Sequence, residues 1–407
     1  MYCESVPLSR IAEKVGTPAY IYSKSILKDN CYRIKGAFSS YSTLACYAVK
    51  ANSNLSVLKQ IFSHGFGADV VSVGEMERAL LAGANPMQIV FSGVGKKDDE
   101  IERALDVSIL SFNVESSEEL ERIRQIAHRK NKLAPVMFRI NPNIDAKTHP
   151  HISTGLYENK FGIFAEEALT LGNSIKDDSL VKLRGVSCHI GSQILEATPF
   201  SEAAIQMSLL ATELMKQGHS LQMIDMGGGL GIRYDDETPV PAEDYAAALI
   251  GPVRKTGLKL LIEPGRSIVA TAGVLLSRVI GNKRTPKKQF LVIDAAMNDL
   301  IRPSLYSAFH AIEPAKQVST ATGVYDVVGP VCETGDCLGH DRKLPQLTPG
   351  ELVVIRDSGA YGASMASNYN TRPRAPEVMV DGTNFSVIRQ RESLEDLWKL
   401  ELNDLVD

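Results

Sequence analysis

The chain has 407 residues, of which 44% are hydrophobic and 23% charged, and its net charge is −4. That length suits two globular domains, with core enough to need no disulfide staples. No clustered positive field is present of the kind that nucleic-acid or membrane-surface binding requires.

The six cysteines are scattered, without the spacing of a zinc knuckle or a redox CxxC, and no metal site is expected. They are too sparse for a disulfide scaffold and read as thiols in a reducing compartment. The first ten residues lack a basic segment followed by an apolar run, so no secretory signal is expected. No apolar stretch approaches the roughly 20 residues that cross a bilayer. These features predict a cytoplasmic protein.

In chain order, eight short apolar segments precede residue 270: 44–50, 68–72, 88–92, 108–114, 135–141, 183–190, 221–226 and 258–263. Their Val, Ile, Leu, Phe and Met content predicts buried parallel strands. Helical periodicity separates them, at 74–84, 97–105, 116–129, 166–175, 200–217 and 242–255, with another helix at 24–38 ahead of the first strand. The clearest is 116–129, which opens on Ser-Ser-Glu-Glu and repeats Leu120, Ile123 and Ile126 at helical spacing. Eight alternating strands and helices predict a parallel (β/α)8 barrel over 24–268, with a doubly wound open sheet as the alternative. Beyond about 268 the strands at 273–279, 289–294, 324–328, 352–356 and 376–380 predict a mainly β domain. That domain spans 1–23 and 269–407, with 18–22 as its extra strand. A short helix at 394–402 carries the only tryptophan, Trp398, read as a packing residue.

Barrel chemistry collects at the C-terminal ends of the strands. The first strand ends Tyr47-Ala48-Val49-Lys50-Ala51-Asn52. A lysine there can form a Schiff base with an aldehyde cofactor, but taken alone it reads as a solvent-facing strand end. The sixth ends His189-Ile190-Gly191-Ser192-Gln193, where strand alternation points His189 and Gly191 the same way. That histidine either packs, stacks on a flat ring or acts as an acid. The seventh ends Gly227-Gly228-Gly229-Leu230-Gly231, whose exposed backbone N–H groups suit a phosphate. It is neither a dinucleotide fingerprint, since Ile232 stands where a glycine is needed, nor a P-loop. The eighth ends Glu263-Pro264-Gly265-Arg266. A buried carboxylate can keep a pyridine nitrogen protonated, and an arginine can fork onto a carboxylate or phosphate. The plain alternative is a structural Glu–Arg pair.

Three segments of the β domain add polar chemistry: Arg302 and Tyr306, the run Cys332-Glu333-Thr334-Gly335-Asp336-Cys337, and Tyr361 between Gly359 and Gly362. Each taken alone also reads as a loop or a turn.

Together these motifs, in this order and over nearly the whole chain, resemble the diaminopimelate decarboxylase family of alanine-racemase-like pyridoxal-phosphate enzymes. The resemblance implies pyridoxal 5′-phosphate carried on Lys50, with His189 stacked on its ring. Asp69 lies near the lysine. Ser192, Gly228, Gly229 and the amides around Gly265 hold the phosphate, and Glu263 pairs with the ring nitrogen. Arg266, Arg302, Tyr306, Glu333 and Tyr361 surround the substrate, with Tyr361 also near the phosphate. Cys332, supplied by the second subunit of a homodimer, gives the proton. The implied reaction converts meso-2,6-diaminopimelate to L-lysine and carbon dioxide, the last step of bacterial lysine biosynthesis. Relatives acting on ornithine, arginine or carboxynorspermidine are alternatives, as is a binding protein without catalysis. A lid is expected at 149–161, from its Gly, Asn and Lys content.

Overall fold

A computed structural model describes residues 1–145, 160–317 and 321–402. Most of the expected lid segment, 149–159, therefore lies outside the described residues. The chain divides into two compact units. One holds Asn30–Arg233 and Glu237–Ser267, and the other Met1–Asp29, Tyr234–Asp236 and Ile268–Asp407.

The first unit is a closed, all-parallel barrel of eight strands, which rules out the open sheet. In order these are Thr43–Ala48, Gly67–Val70, Ile89–Phe91, Ser111–Val114, Ala134–Ile140, Val181–Cys188, Met223–Asp225 and Lys259–Ile262. The eighth closes on the first through Leu260↔Thr43 and Ile262↔Ala45. An apolar cluster of Leu44, Cys46, Val90, Leu110, Met137, Met223 and Leu261 is buried in this unit. Two residues after four of these come Ser92, Arg139, Asp225 and Glu263. Strand alternation puts residues two apart on the same face, so a polar layer follows the apolar one toward the C-terminal mouth.

The flanking helices bury apolar stripes. Ser117–Lys130 starts where the Ser116 hydroxyl accepts from the Glu119 N–H at 3.1 Å, and it buries Leu120, Ile123 and Ile126. A helix at Leu55–Ser63 went unread in the sequence, although Asn54 caps it and Val57, Leu58, Ile61 and Phe62 are buried. The first strand stops earlier than expected. Residues Val49–Ala51 curl into one 3-10 turn, so Lys50 projects from a turn. Likewise the sixth strand ends at Cys188, and His189 opens a loop in which Gly191 has φ +150°. The inference from strand alternation about His189 and Gly191 therefore does not apply.

In the second unit the twelve-residue strand Gly273–Arg284 pairs antiparallel with Ala19–Ser23, Gln289–Ile293 and Leu352–Ile355. Glu377–Asp381 joins parallel to Ala19–Ser23. Helix Leu8–Val15 lays Leu8, Ile11 and Ala12 in a core with Ile21, Leu276, Val354, Val378 and Val380. The strands Cys337–Pro345 and Asn384–Arg389 escaped the sequence reading because their exposed, polar stretches lack an apolar run. The expected helix at 394–402 is only the 3-10 turn Glu395–Leu397. Leu394, Leu400 and Leu402 are exposed, and so short a helix needs packing to form. Trp398 is 39% exposed, which corrects its reading as a packing residue. No helix among the described residues is long and apolar enough to cross a membrane.

Candidate active site

The barrel mouth holds a cleft of about 380 Å³ lined by Lys50, Ser92, Asn113, Arg139, Ser187, His189 and Glu263, among others. That volume suits a small cofactor with part of a substrate. Every one of these residues comes from a strand end or the turn just after it.

Lys50 Nζ lies 2.8 Å from Asp69 Oδ2, and Asp69 is fully buried. The pair fixes the amine in a mouth that also contains two further acids. Asp225, ending the seventh strand, is hydrogen-bonded to Glu263, and both are buried. Burial raises Asp225 to about 6. Burial, then the Asp225 and Asp69 charges, pushes Glu263 well above the usual carboxylate range. Two carboxyls so close hold a proton between them at neutral pH. Asn113 bridges them, its Nδ2 lying 3.3 Å from Asp225 Oδ2, 3.5 Å from Glu263 Oε1 and 3.0 Å from Ser92 Oγ.

His189 Nδ1 accepts from the Gly228 N–H at 3.2 Å. Burial, with Lys50 and Arg139 nearby, holds its imidazole well below the ordinary value, so the ring is neutral. The glycine loop must be side-chain-free here. A Cβ on Gly228 would lie 2.2 Å from the Glu263 carbonyl, and Gly227 and Gly229 have φ of +63° and +115°. Arg266 Nη2 donates to Ser192 Oγ at 2.8 Å, joining the sixth- and eighth-strand loops. Gly265 packs against Ala48 and Ala51, 3.0 and 3.1 Å from where its Cβ would be.

Asp225, Asn113, Arg139, Ser92 and Ser187 were not picked out from the sequence. A polar residue inside an apolar strand run was their signal. Arg139 Nη1 pairs with Glu115 Oε1 at 2.7 Å, and Glu115 also accepts from the Gly93 and Gly162 N–H groups, at 2.7 and 3.2 Å. This arrangement fixes the loops that carry the cleft wall.

Three buried polar atoms in the mouth, Asp69 Oδ1, Asn113 Oδ1 and Ser187 Oγ, have no hydrogen-bond partner among the described residues. Buried polar atoms are normally satisfied. Together with a strand-end lysine, a proton-holding acid and a glycine cradle, they fit a polar aromatic aldehyde phosphate.

The remaining candidates lie in the β-rich unit. Arg302 and Tyr306 begin and end one short helix, Arg302–Tyr306. Arg302 is buried and Tyr306 half-buried. Cys332 and Glu333 are exposed on a turn held by Asp336, which accepts from the Val331 and Met297 N–H groups at 2.8 and 2.7 Å. Tyr361 is half-buried at φ +55°.

Residues 25–270 match the family described as pyridoxal-dependent decarboxylase, pyridoxal binding domain. Over 402 residues the chain is 48% identical to the diaminopimelate decarboxylase of Vibrio cholerae, covering 98% of this chain and 96% of that one. This chain belongs to the diaminopimelate decarboxylase family. The Pseudomonas aeruginosa family member is 48% identical, with 98% and 96% covered. The fold agrees with a crystal structure of the Helicobacter pylori diaminopimelate decarboxylase in complex with L-lysine, at a TM-score of 0.95 and 45% identity, with 98% and 100% covered. The barrel and the β-rich unit are thus both part of this family's architecture.

Proposed function

We propose that this chain binds pyridoxal 5′-phosphate and decarboxylates meso-2,6-diaminopimelate to L-lysine and carbon dioxide, closing bacterial lysine biosynthesis. The carrying observation is the barrel mouth, where the Lys50–Asp69 pair and the proton-holding Glu263 line one cleft in a chain of this family. Pyridoxal phosphate, when bound, supplies an aldehyde for the substrate amine and a ring that accepts the electron pair left as carbon dioxide departs.

Lys50 would hold the aldehyde, with Asp69 fixing its Nζ. Glu263 would keep a proton at the ring nitrogen, with Asp225 hydrogen-bonded to it. Neutral His189 offers a flat face without adding positive charge. Ser192, Arg266, the side-chain-free loop at Gly228 and Gly229, and the amides around Gly265 would take the phosphate. Arg302, Tyr306, Glu333 and Tyr361 hold the far end of the substrate, which carries both an ammonium and a carboxylate. Glu333 complements the first and Arg302 the second, a pattern that suits diaminopimelate better than ornithine or arginine. The Cys332 S–H returns a proton to the carbon that lost carbon dioxide.

Cys332 and Glu333 are exposed on the single chain, whereas proton delivery needs a covered site. A second copy that brings Cys332 to the first copy's mouth makes the working unit a homodimer. Six free cysteines fit a reducing cytoplasm.

The test is carbon dioxide release from meso-diaminopimelate, ornithine and arginine by the holoenzyme. Release from diaminopimelate alone, lowered on the order of 10³-fold or more in Lys50→Ala, is expected. Mixing Lys50→Ala with Cys332→Ala chains should restore about a quarter of wild-type activity, because random pairing gives half mixed dimers with one intact site each. No release from any substrate would defeat the proposal, and no recovery on mixing would defeat the shared site.

A further inference from the structure

Arg302 carries the substrate's distal carboxylate in the function proposed above, and how this guanidinium is aimed is a separate matter. Its Nη1 lies 2.7 Å from Nε2 of His310, which is fully buried. On the other side of the ring, His310 Nδ1 lies 2.8 Å from the Arg356 carbonyl oxygen. A carbonyl only accepts, so Nδ1 carries the hydrogen. A guanidinium only donates, so Nε2 offers its lone pair. The two bonds fix a neutral imidazole in one tautomer. The guanidinium also lies over the Tyr234 ring, 4.7 Å from its centroid. Tyr234 in turn meets His310 edge-on, at 5.3 Å and 73°. Arg302 is thus held at its edge by an acceptor and across its face by an aromatic ring.

The choice of partner matters. A carboxylate in the place of His310 would fix the same direction while neutralising the cation. A neutral imidazole fixes the direction and leaves the positive charge for an anionic ligand.

We propose that His310 is a positioning residue for Arg302, its neutral ring aiming the guanidinium at the distal carboxylate of the substrate. The inference rests on the reading of Arg302 as the carboxylate binder.

Two substitutions separate the two hydrogen bonds of His310. His310→Asn places its amide near the Nδ1 position, keeping a donor for the Arg356 carbonyl with no acceptor for Arg302. His310→Gln reaches the Nε2 position and offers Arg302 an oxygen. Steady-state kinetics of the holoenzyme on meso-diaminopimelate are expected to show KM raised about tenfold to a hundredfold in the Asn chain, with kcat changed less than about threefold. The cofactor absorbance should be unchanged. The Gln chain should return KM to within about fivefold of wild type. L-Lysine keeps the distal carboxylate and cadaverine lacks it, so the preference for L-lysine over cadaverine as an inhibitor should fall in the Asn chain and recover in the Gln chain. If the Asn chain does not fold, His310→Leu serves as the acceptor-free variant. Equal KM values in the acceptor-free and Gln chains, or a loss of kcat and thermal stability at constant KM, would overturn the proposal. Arg302→Lys is the control. A KM unchanged there would refute the Arg302 reading itself, whereas a raised KM there beside an unaffected acceptor-free chain would refute the role of His310 alone.

Discussion

The two ends of the barrel use the same side chain in opposite ways. At the N-terminal end, ahead of the strand Val181–Cys188, Asp178 accepts from the Leu180 and Val181 N–H groups at 2.8 and 2.9 Å. It also meets Arg124 Nε at 2.9 Å and His128 Nε2 at 3.0 Å. Burial alone would raise its pKa, yet the donors at Val181, Leu180 and His128 outweigh burial and bring it to about 2. At the mouth, Asp225 and Glu263 face each other and Asp69, and both shift upward through burial first. One end spends a carboxylate on stability. The other gathers acids that destabilise the fold and hold protons where the chemistry is done, as barrel enzymes do at their C-terminal face.

The sharpest way to break this contrast is Glu263→Gln. The amide keeps the shape of the side chain and cannot hold the ring proton. Decarboxylation should fall by about 10²- to 10³-fold, while the absorbance of bound cofactor persists. Activity within about threefold of wild type would show that the mouth acids are bystanders.

Asp225→Asn tests the cost side. The Asn oxygen can still accept from the Gly227 N–H, which lies 2.9 Å from Asp225 Oδ1. The substitution removes one of the crowded charges. In the wild-type protein stripped of cofactor, Asp225 titrates at about 6, above the roughly 4 of an unfolded chain. The folded state therefore binds more protons than the unfolded state between those values. The contribution of this group is full below about pH 4 and is lost as pH rises through about 6. At pH 8 the Asn variant should be more stable than wild type by on the order of 1–2 kcal/mol, and the gap should close toward pH 4. Activity should fall, because Glu263 loses its partner. A gap independent of pH would mean that Asp225 is not strained.

How legible this contrast is in the sequence depends on the kind of residue. The eight strands stand out because parallel barrel strands are apolar on both faces, and the motifs that end them mark the mouth. Lys50, His189, Glu263 and Arg266 are marked by position at the strand ends, and the order of their motifs, rather than any one of them, points to a site. Asp225, Asn113 and Arg139 do not, because an apolar-run reading treats a polar residue inside a strand as noise. In a closed barrel such a residue is the last inward layer, and only closure brings the acids of the second, seventh and eighth strands together. His310 is harder still. Its role exists only through the turn that sets Arg302 beside it, and Tyr234 reaches the pair from 68 positions before Arg302 in the chain. The turn at Val49–Ala51 and the missing helix around Trp398 depend on packing that sequence periodicity does not carry.

The smallest effect is expected at the opposite end, where Asp178→Ala should lower stability and spare catalysis. Its four contacts include two backbone donors that open the sixth strand, and removing the acceptor leaves those donors unsatisfied. A loss of about 1–3 kcal/mol is expected at pH 7. Here the sign is reversed. The folded value of about 2 lies below the unfolded one, so the stabilisation is complete above about pH 4 and disappears as pH falls toward 2. Wild type and variant should therefore converge in acid, whereas wild type and Asp225→Asn diverge toward base. The values of kcat and KM at pH 8 should stay within about twofold of wild type, since no cleft residue touches Asp178 in these contacts. A variant that lost activity without losing stability would mean that the barrel transmits strain along its strands from floor to mouth, and the division of labour between its ends would fail.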